Sequence, residues 1–306
     1  MLDTREVERA LLSWARAYGF VHTPDEERRF GEARYADLAA LVYPGVPDPL
    51  VYAKWTTWLF IVDDHFDEQG GAWDGRGATE GVKRCLPFGE EDHEPLPSTP
   101  FAAALTDLWR ELRKGMGPEL RARFRDHVEE YVLAHQPSPP VPPAREVGER
   151  GTGEPLPLHP LEAYIRNRRD RGAVEACLDL LERSEGVPLP AAAVVSPDLV
   201  ELRRAANDVI CWRNDVLSVE KEVRHGERNN LVLVLEDVEG LDREHARLTA
   251  ERMLVDRTAE FEKLLAGIEV TGSDTPAAVF ARGASRWIAG SEQWHLLSPR
   301  YRTDRP

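Results

Sequence analysis

Three cysteines in 306 residues are too few for a disulfide framework. Cys85, Cys177 and Cys211 stand far apart and belong to no metal-binding motif, so they are expected as buried thiols of a reducing compartment. Histidine and cysteine pairs at zinc spacing are missing as well. No uninterrupted apolar run approaches the roughly 20 residues that span a bilayer, so stable membrane insertion is not expected. The opening Met1-Leu2-Asp3-Thr4-Arg5-Glu6 lacks the basic-then-apolar layout of a secretory signal, and a cytoplasmic protein is expected. Basic charge is the other deficit: 39 Lys and Arg face 54 Asp and Glu, a formal net charge of −15. Such a surface repels nucleic acid and anionic lipid. An anion can bind only where metal ions or a few placed arginines and lysines reverse the sign locally.

Strand punctuation and fixed-period repeats are also lacking. Helix-start punctuation is abundant. A capping residue precedes proline at Thr23-Pro24, Asp48-Pro49, Thr99-Pro100, Ser196-Pro197 and Thr275-Pro276, with His159-Pro160 a weaker example. Proline suits the first helical position because its missing N–H has no partner there in any case. Thr23 followed by Glu26 has the form of a capping box. Between these starts, apolar residues recur at helical periods, as in Val51, Trp55, Trp58 and Val62. The pattern predicts about ten helices, no sheet and an all-α fold. Pro137 to Pro160 holds eight of the 23 prolines and cannot be one helix. It reads as an exposed loop over about 136–160 within one domain, in preference to a domain boundary.

Two oxygen-rich runs stand out. The first is Asp63-Asp64-His65-Phe66-Asp67-Glu68, near the end of a helix expected to open at Pro49 and stop at Gly70-Gly71. Asp63 and Asp67 share a face at i, i+4 spacing. Acidic groups at a helix C-terminus oppose the macrodipole, a cost that bound cations would relieve. The alternative is a solvated acidic helix end. Magnesium prefers oxygen, so His65 is left out of the ligand set.

The second run is Asn214-Asp215-Val216-Leu217-Ser218-Val219-Glu220-Lys221-Glu222. Asn214, Ser218 and Glu222 drift only about 80° around the helix and form a stripe of amide, hydroxyl and carboxylate. His225-Gly226 closes the helix soon after. Lys221 stands beside Glu222, where it can reach an anion held by the same metal. The alternative is the polar face of an ordinary surface helix. Together the runs describe two facing walls of a magnesium site with room for a diphosphate between them.

The pair resembles the aspartate-rich motif and the N-D-x-x-S-x-x-x-E triad of bacterial class I terpene synthases. Trp14, Gly19 and Tyr43-Pro44 resemble that family's opening helices. Arg168 lies 46 positions before Asn214, as the family's diphosphate-sensing arginine does, and Gly172 matches the effector position where a helix breaks. Trp294 with Arg300-Tyr301 matches the family's W-x5-R-Y pattern. Two departures are visible: Arg171 stands where some members carry Asp, and the proline-rich stretch replaces a shorter turn.

The resemblance implies a single helical domain over residues 1–306 with a central cavity, cytoplasmic, and a homodimer as one possible assembly. It implies three Mg2+ ions, with Mn2+ as a substitute, on Asp63, Asp64, Asp67, Asn214, Ser218 and Glu222. Diphosphate donors would be Arg168, Lys221, Arg300 and Tyr301. The implied reaction is ionisation and cyclisation of an all-trans isoprenyl diphosphate. Farnesyl diphosphate is the first choice, geranylgeranyl diphosphate the second and geranyl diphosphate the third. Helical spacing puts Phe60 and Thr56 below Asp63, and Ile210 and Cys211 below Asn214. Phe60, Trp287 and Trp294 coincide with the family's cavity positions; Trp55, Trp58, Trp109 and Trp212 are expected in the core. Asn207 is expected to satisfy a backbone group. No catalytic histidine is nominated, because released diphosphate can accept the last proton. The competing functions are an isoprenyl chain-elongating enzyme, which would need a second aspartate-rich motif, and a non-catalytic helical scaffold.

Overall fold

The computed structural model describes residues 3–68, 99–135 and 158–301, leaving aside the side chains of 65–68 and 225. Among the described residues there are thirteen α-helices, a closing 3-10 turn and no strand. In chain order they are α1 Thr4–Ala17, α2 Pro24–Ala33, α3 Tyr35–Val42, α4 Pro49–Glu68, α5 Pro100–Leu112, α6 Pro118–Ala134 and α7 Pro160–Arg171. They continue as α8 Val174–Glu185, α9 Ala191–Val194, α10 Pro197–His225, α11 Leu231–Glu239, α12 Arg243–Val270 and α13 Pro276–Leu297, with the 3-10 turn at Pro299–Tyr301. Among the described residues no helix is long and apolar enough to cross a membrane.

The all-α expectation holds, while about ten helices was too few. Two boundaries fall at Arg34 and Ala173, non-glycine residues with φ of 58° and 52°, the second beside Gly172, where the resemblance implied a helix break. Left-handed backbone at such residues costs about 1–2 kcal/mol, and their side chains carry no sign of it. The marked starts are where they were expected. Thr23, Thr99 and Thr275 accept from the backbone N–H three residues on, and Thr23 with Glu26 completes a capping box. Ser196 differs: its hydroxyl turns back to donate to the Ala193 carbonyl and caps nothing. Gly70, Gly71, Cys85 and most of the 136–160 stretch lie outside the described residues.

α10, 29 residues and roughly 43 Å long, is the spine of the bundle. It packs along α12 and α13, and α7, α8 and α11 also lean on it. Val51, Trp55, Trp58 and Val62 of α4 are buried, with Trp109 and Trp212. Phe124 of α6 lies 5.0 Å from Trp55 and 5.9 Å from Trp109, centroid to centroid, which ties α4, α5 and α6 together.

Beneath the α7–α8 junction lies a charged brace. The buried Asp179 carboxylate accepts from Arg123 Nε at 2.8 Å and Arg203 Nη2 at 2.8 Å, and lies 2.7 Å from His127 Nδ1. Burial alone would raise the Asp179 carboxyl, but the charges of Arg203, His127 and Arg123 hold it well below the usual range. Burial lowers the His127 imidazole, and the Asp179 charge more than offsets this, so His127 titrates above its ordinary value. A group raised on folding contributes stability below its unfolded pKa and loses it as pH rises through the folded one. The stability difference between wild type and His127→Gln should therefore be flat below about pH 6.5 and shrink at higher pH, in urea titrations from about pH 5.5 to 8.5. A difference independent of pH would show that His127 is not charged in the fold.

Candidate active site

One cleft, with about 1140 Å3 of empty space including its mouth, collects both runs. Asp63 and Asp64 enter it from the last turns of α4, and Asn214, Ser218 and Glu222 from the C-terminal half of α10. Gly226, with φ of 80°, ends α10 one turn beyond Glu222 in a left-handed cap that suits glycine. Arg168 closes the end of α7, and the 3-10 turn after α13 delivers Arg300 and Tyr301. Asp67 is on the same helix, but its side chain lies outside the described residues, as does that of His65.

Charges in the cleft are already interlocked. Arg300 grips Asp64 with two parallel bonds, Nη1 to Oδ2 at 2.7 Å and Nη2 to Oδ1 at 2.6 Å. Lys221 Nζ adds a third at 3.4 Å. Burial pushes the Asp64 carboxyl up, and the Arg300 and Lys221 cations more than reverse this, so the group sits below its ordinary range. The cost of acid at the end of α4 is thus met partly by the chain's own cations. Asp63 faces His135 Nε2 at 3.7 Å, and Arg171, also in the cleft wall, adds positive charge near both.

Across the cleft, Arg168 donates Nε to Asp215 Oδ1 at 2.9 Å and Nη2 to Asn214 Oδ1 at 3.1 Å. Asn214 Nδ2 donates to the Tyr301 hydroxyl at 3.0 Å. Ser218 Oγ lies 2.7 Å from the Asn214 carbonyl and 2.5 Å from Glu222 Oε1. Burial and the neighbouring Asp215 charge both push the Glu222 carboxyl up, an excess of negative field that a cation relieves. All six donors assigned from sequence are hard oxygens, the set that suits a small divalent ion. Among the described residues no three Asp, Glu, His or Cys side chains already converge around an ion. Asn214 and Ser218 add an amide and a hydroxyl oxygen to the carboxylates, and the chemistry of this donor set fits a hard divalent cation.

Below the rim the lining turns apolar, with Phe60, Leu59, Ile210 and Trp287 among its residues. Phe60 stacks on Tyr35 at 5.5 Å, touches Trp294 at 5.1 Å and carries the Arg300 guanidinium 5.1 Å from its ring centre. Trp294 lines the cleft but is only 1% exposed, its N–H donating to the Ala33 and Arg34 carbonyls. It is as much a strut between α13 and the α2–α3 corner as a cavity face. Asn207 donates to the Arg169 carbonyl at 3.2 Å, the backbone role expected for it.

Several residues here had no assigned role: Tyr164, whose hydroxyl donates to Asp215, Asp215 itself, Asn230, His135 and His295. Asp215 stood in plain view beside Asn214, yet only the packing of α7 onto α10 shows that it holds Arg168. His295 is buried, and burial together with Arg213 and Arg300 lowers its imidazole to about 4, so it is neutral.

Gly172 marks the break between α7 and α8. A methyl group there would stand 2.3 Å from Cys211 Sγ, well inside contact distance. Only glycine lets the end of α7 lie this close to α10. Gly172→Ala should cost about 1–3 kcal/mol of stability in urea unfolding, and adding Cys211→Ala should restore part of it. Additive effects in that cycle would mean the two positions do not touch.

A family model described as terpene synthase family 2, C-terminal metal binding, matches residues 54–260. The chain is 30% identical to the (+)-T-muurolol synthase of Roseiflexus castenholzii, named as cyclizing (2E,6E)-farnesyl diphosphate, over 96% of this chain and 88% of that one. It is also 30% identical to the (−)-delta-cadinene synthase of Streptomyces clavuligerus, over 92% of this chain and 85% of that one. The solved 2-methylisoborneol synthase of Streptomyces coelicolor superposes with a TM-score of 0.81 at 21% identity, covering 98% of this chain and 93% of that one, a likeness of fold. With most of its length inside the metal-binding model and nearly all of it aligned to these cyclases, the chain belongs to the bacterial class I terpene synthases and is an enzyme of that family.

Proposed function

We propose that this enzyme is a magnesium-dependent cyclase that ionises an all-trans isoprenyl diphosphate, farnesyl diphosphate first, and releases diphosphate. One observation carries the reading: the α4 carboxylates and the α10 stripe share a cleft in which Arg168, Lys221 and Arg300 stand among the acids and whose deeper lining, with Phe60, Leu59, Ile210 and Trp287, is apolar. A diphosphate head group and a hydrocarbon tail need those two environments in that order. The names of the curated relatives support the fifteen-carbon substrate, one of them stating farnesyl diphosphate.

The reading assigns three Mg2+, or Mn2+ in their place, to Asp63, Asp64, Asp67, Asn214, Ser218 and Glu222. When bound, these ions neutralise charge on the departing diphosphate oxygens as the allylic C–O bond breaks. The chain's own residues do the rest. Arg168 and Arg300 are forked guanidinium donors suited to two phosphate oxygens at once, Lys221 is a point charge, and the Tyr301 hydroxyl completes the cradle. For Arg300 and Lys221 to turn to the head group, their hold on Asp64 must loosen, which leaves that carboxylate to a cation.

Heterolysis leaves the bonding pair on diphosphate and an allylic cation in the apolar part of the cleft. Water must be excluded there, because it would capture the cation at once. The face of Phe60, steadied by Tyr35 and Trp294, and that of Trp287 offer the cation about 0.5–2 kcal/mol each. Ring closure redistributes the charge, and released diphosphate can accept the proton whose loss ends the sequence.

Incubation with geranyl, farnesyl and geranylgeranyl diphosphates, with and without Mg2+, should give metal-dependent diphosphate release and volatile cyclic products, farnesyl diphosphate being turned over best. Release from none of the three would leave the scaffold reading, and release only with added isopentenyl diphosphate would indicate chain elongation. Asp63→Ala and Asn214→Ala should each lower turnover by about 100-fold or more while far-ultraviolet circular dichroism stays helical. Wild-type turnover in both would refute the assigned site. Phe60→Ala should alter product ratios more than the unfolding midpoint; an unchanged product profile would return Phe60 to the core.

A further inference from the structure

Asn230 is fully buried, on the short segment between α10 and α11, and every hydrogen of its amide is committed. Nδ2 donates to Glu222 Oε2 at 2.8 Å and to the Asp215 carbonyl at 2.7 Å. Oδ1 accepts from Val232 N at 2.9 Å, capping α11. The next residue continues the contact: Leu231 N donates to Asp215 Oδ2 at 3.1 Å. A flipped Asn230 amide would set its oxygen against a carboxylate and a carbonyl, and its NH2 against a backbone N–H. Its orientation is therefore fixed from three sides.

We infer that Asn230 is a positioning residue that orients the Glu222 carboxylate toward the cation and ties it to the Asp215–Arg168 pair on the diphosphate side. The inference rests on the metal site proposed above. Asn230 holds one oxygen of Glu222 through a single N–H, and the other lies 2.5 Å from Ser218 Oγ, whose one hydrogen it shares with the Asn214 carbonyl, so each oxygen keeps a lone pair for an ion. Without Asn230 the carboxylate swings about its own side-chain torsions, and the buried Asp215 carbonyl loses this donor. The same segment fixes Asp215, whose other oxygen receives Arg168. A displacement at Glu222 is thereby felt at the arginine that reads the diphosphate. Partners that orient metal ligands are worth about 10–100-fold in metal affinity.

Asn230→Ser separates this role from helix capping, because serine caps about as well as asparagine but is too short to reach Glu222. Mn2+ binding, followed by loss of the free-ion electron paramagnetic resonance signal, should weaken by about 10–100-fold, and the Mg2+ concentration giving half-maximal turnover should rise in step. The unfolding midpoint without metal should move little. A lower midpoint with unchanged Mn2+ affinity overturns the inference and leaves Asn230 as a cap. If Asn230→Ser folds poorly, Asn230→Thr decides the matter: it also caps, adds no charge and is too short to reach Glu222, so unchanged Mn2+ affinity there also overturns the inference. Failure of the wild-type enzyme to bind Mn2+ would count instead against the metal site itself.

Discussion

Unlike charges held close together in a partly dry cleft are the interaction on which the rest depends. Asp63 and Asp64 on one helix and Asp215 and Glu222 on another bring four carboxylates toward one space. Left alone, they would repel each other and pay heavily for burial. The chain offsets that cost with Arg168, Arg300 and Lys221, each paired to a carboxylate rather than to water. These are the same cations that the proposed reaction needs for diphosphate. On the proposed reading the fold keeps its diphosphate-binding groups in place by using them as internal counter-ions, and a bound cation and diphosphate would replace these pairs without leaving a buried charge bare.

That arrangement depends on how the bundle is built. α10 supplies both the Asn214, Ser218 and Glu222 stripe and the Ile210 and Cys211 lining below it, so the polar and apolar parts of the cleft are fixed on one rigid element. α7 ends against it at Gly172, where the absence of a side chain allows contact with Cys211. The Asp179 brace lies beneath this junction, joining α6, α8 and α10 through Arg123, His127 and Arg203. At the other end Trp294 binds the carbonyls of the α2–α3 corner and carries the turn that delivers Arg300 and Tyr301. Each proposed diphosphate donor is thus mounted on an element whose position is set by packing at some distance from the cleft.

Much of this was legible from residue order. Threonine before proline announced helix starts, because capping is a local interaction within four residues. The Asn214, Ser218 and Glu222 stripe follows from helical periodicity alone, and its ending at Gly226 from the backbone freedom of glycine. What was not legible depends on pairs distant in the chain. Asn230 caps α11 before an apolar run, and nothing local says that its amide reaches back eight residues to Glu222. Tyr164 and Asp215 meet only because α7 crosses α10. Arg300 was read as a diphosphate donor, yet its hold on Asp64, 236 positions away, is a tertiary fact. The helix break at Arg34 was invisible because tertiary packing imposes a left-handed backbone that the residue type does not favour, whereas the break at Gly172 was expected through the family resemblance.

The central claim is that the two walls grip one head group through shared divalent ions. A crystal structure of the protein soaked with Mg2+ and inorganic diphosphate tests it most directly. The account predicts diphosphate between Asp63 and the Asn214, Ser218 and Glu222 stripe, with ions bridging it to both helices and Arg168 and Arg300 on its oxygens. Diphosphate bound away from this cleft, or held there with ions touching neither wall, would contradict it.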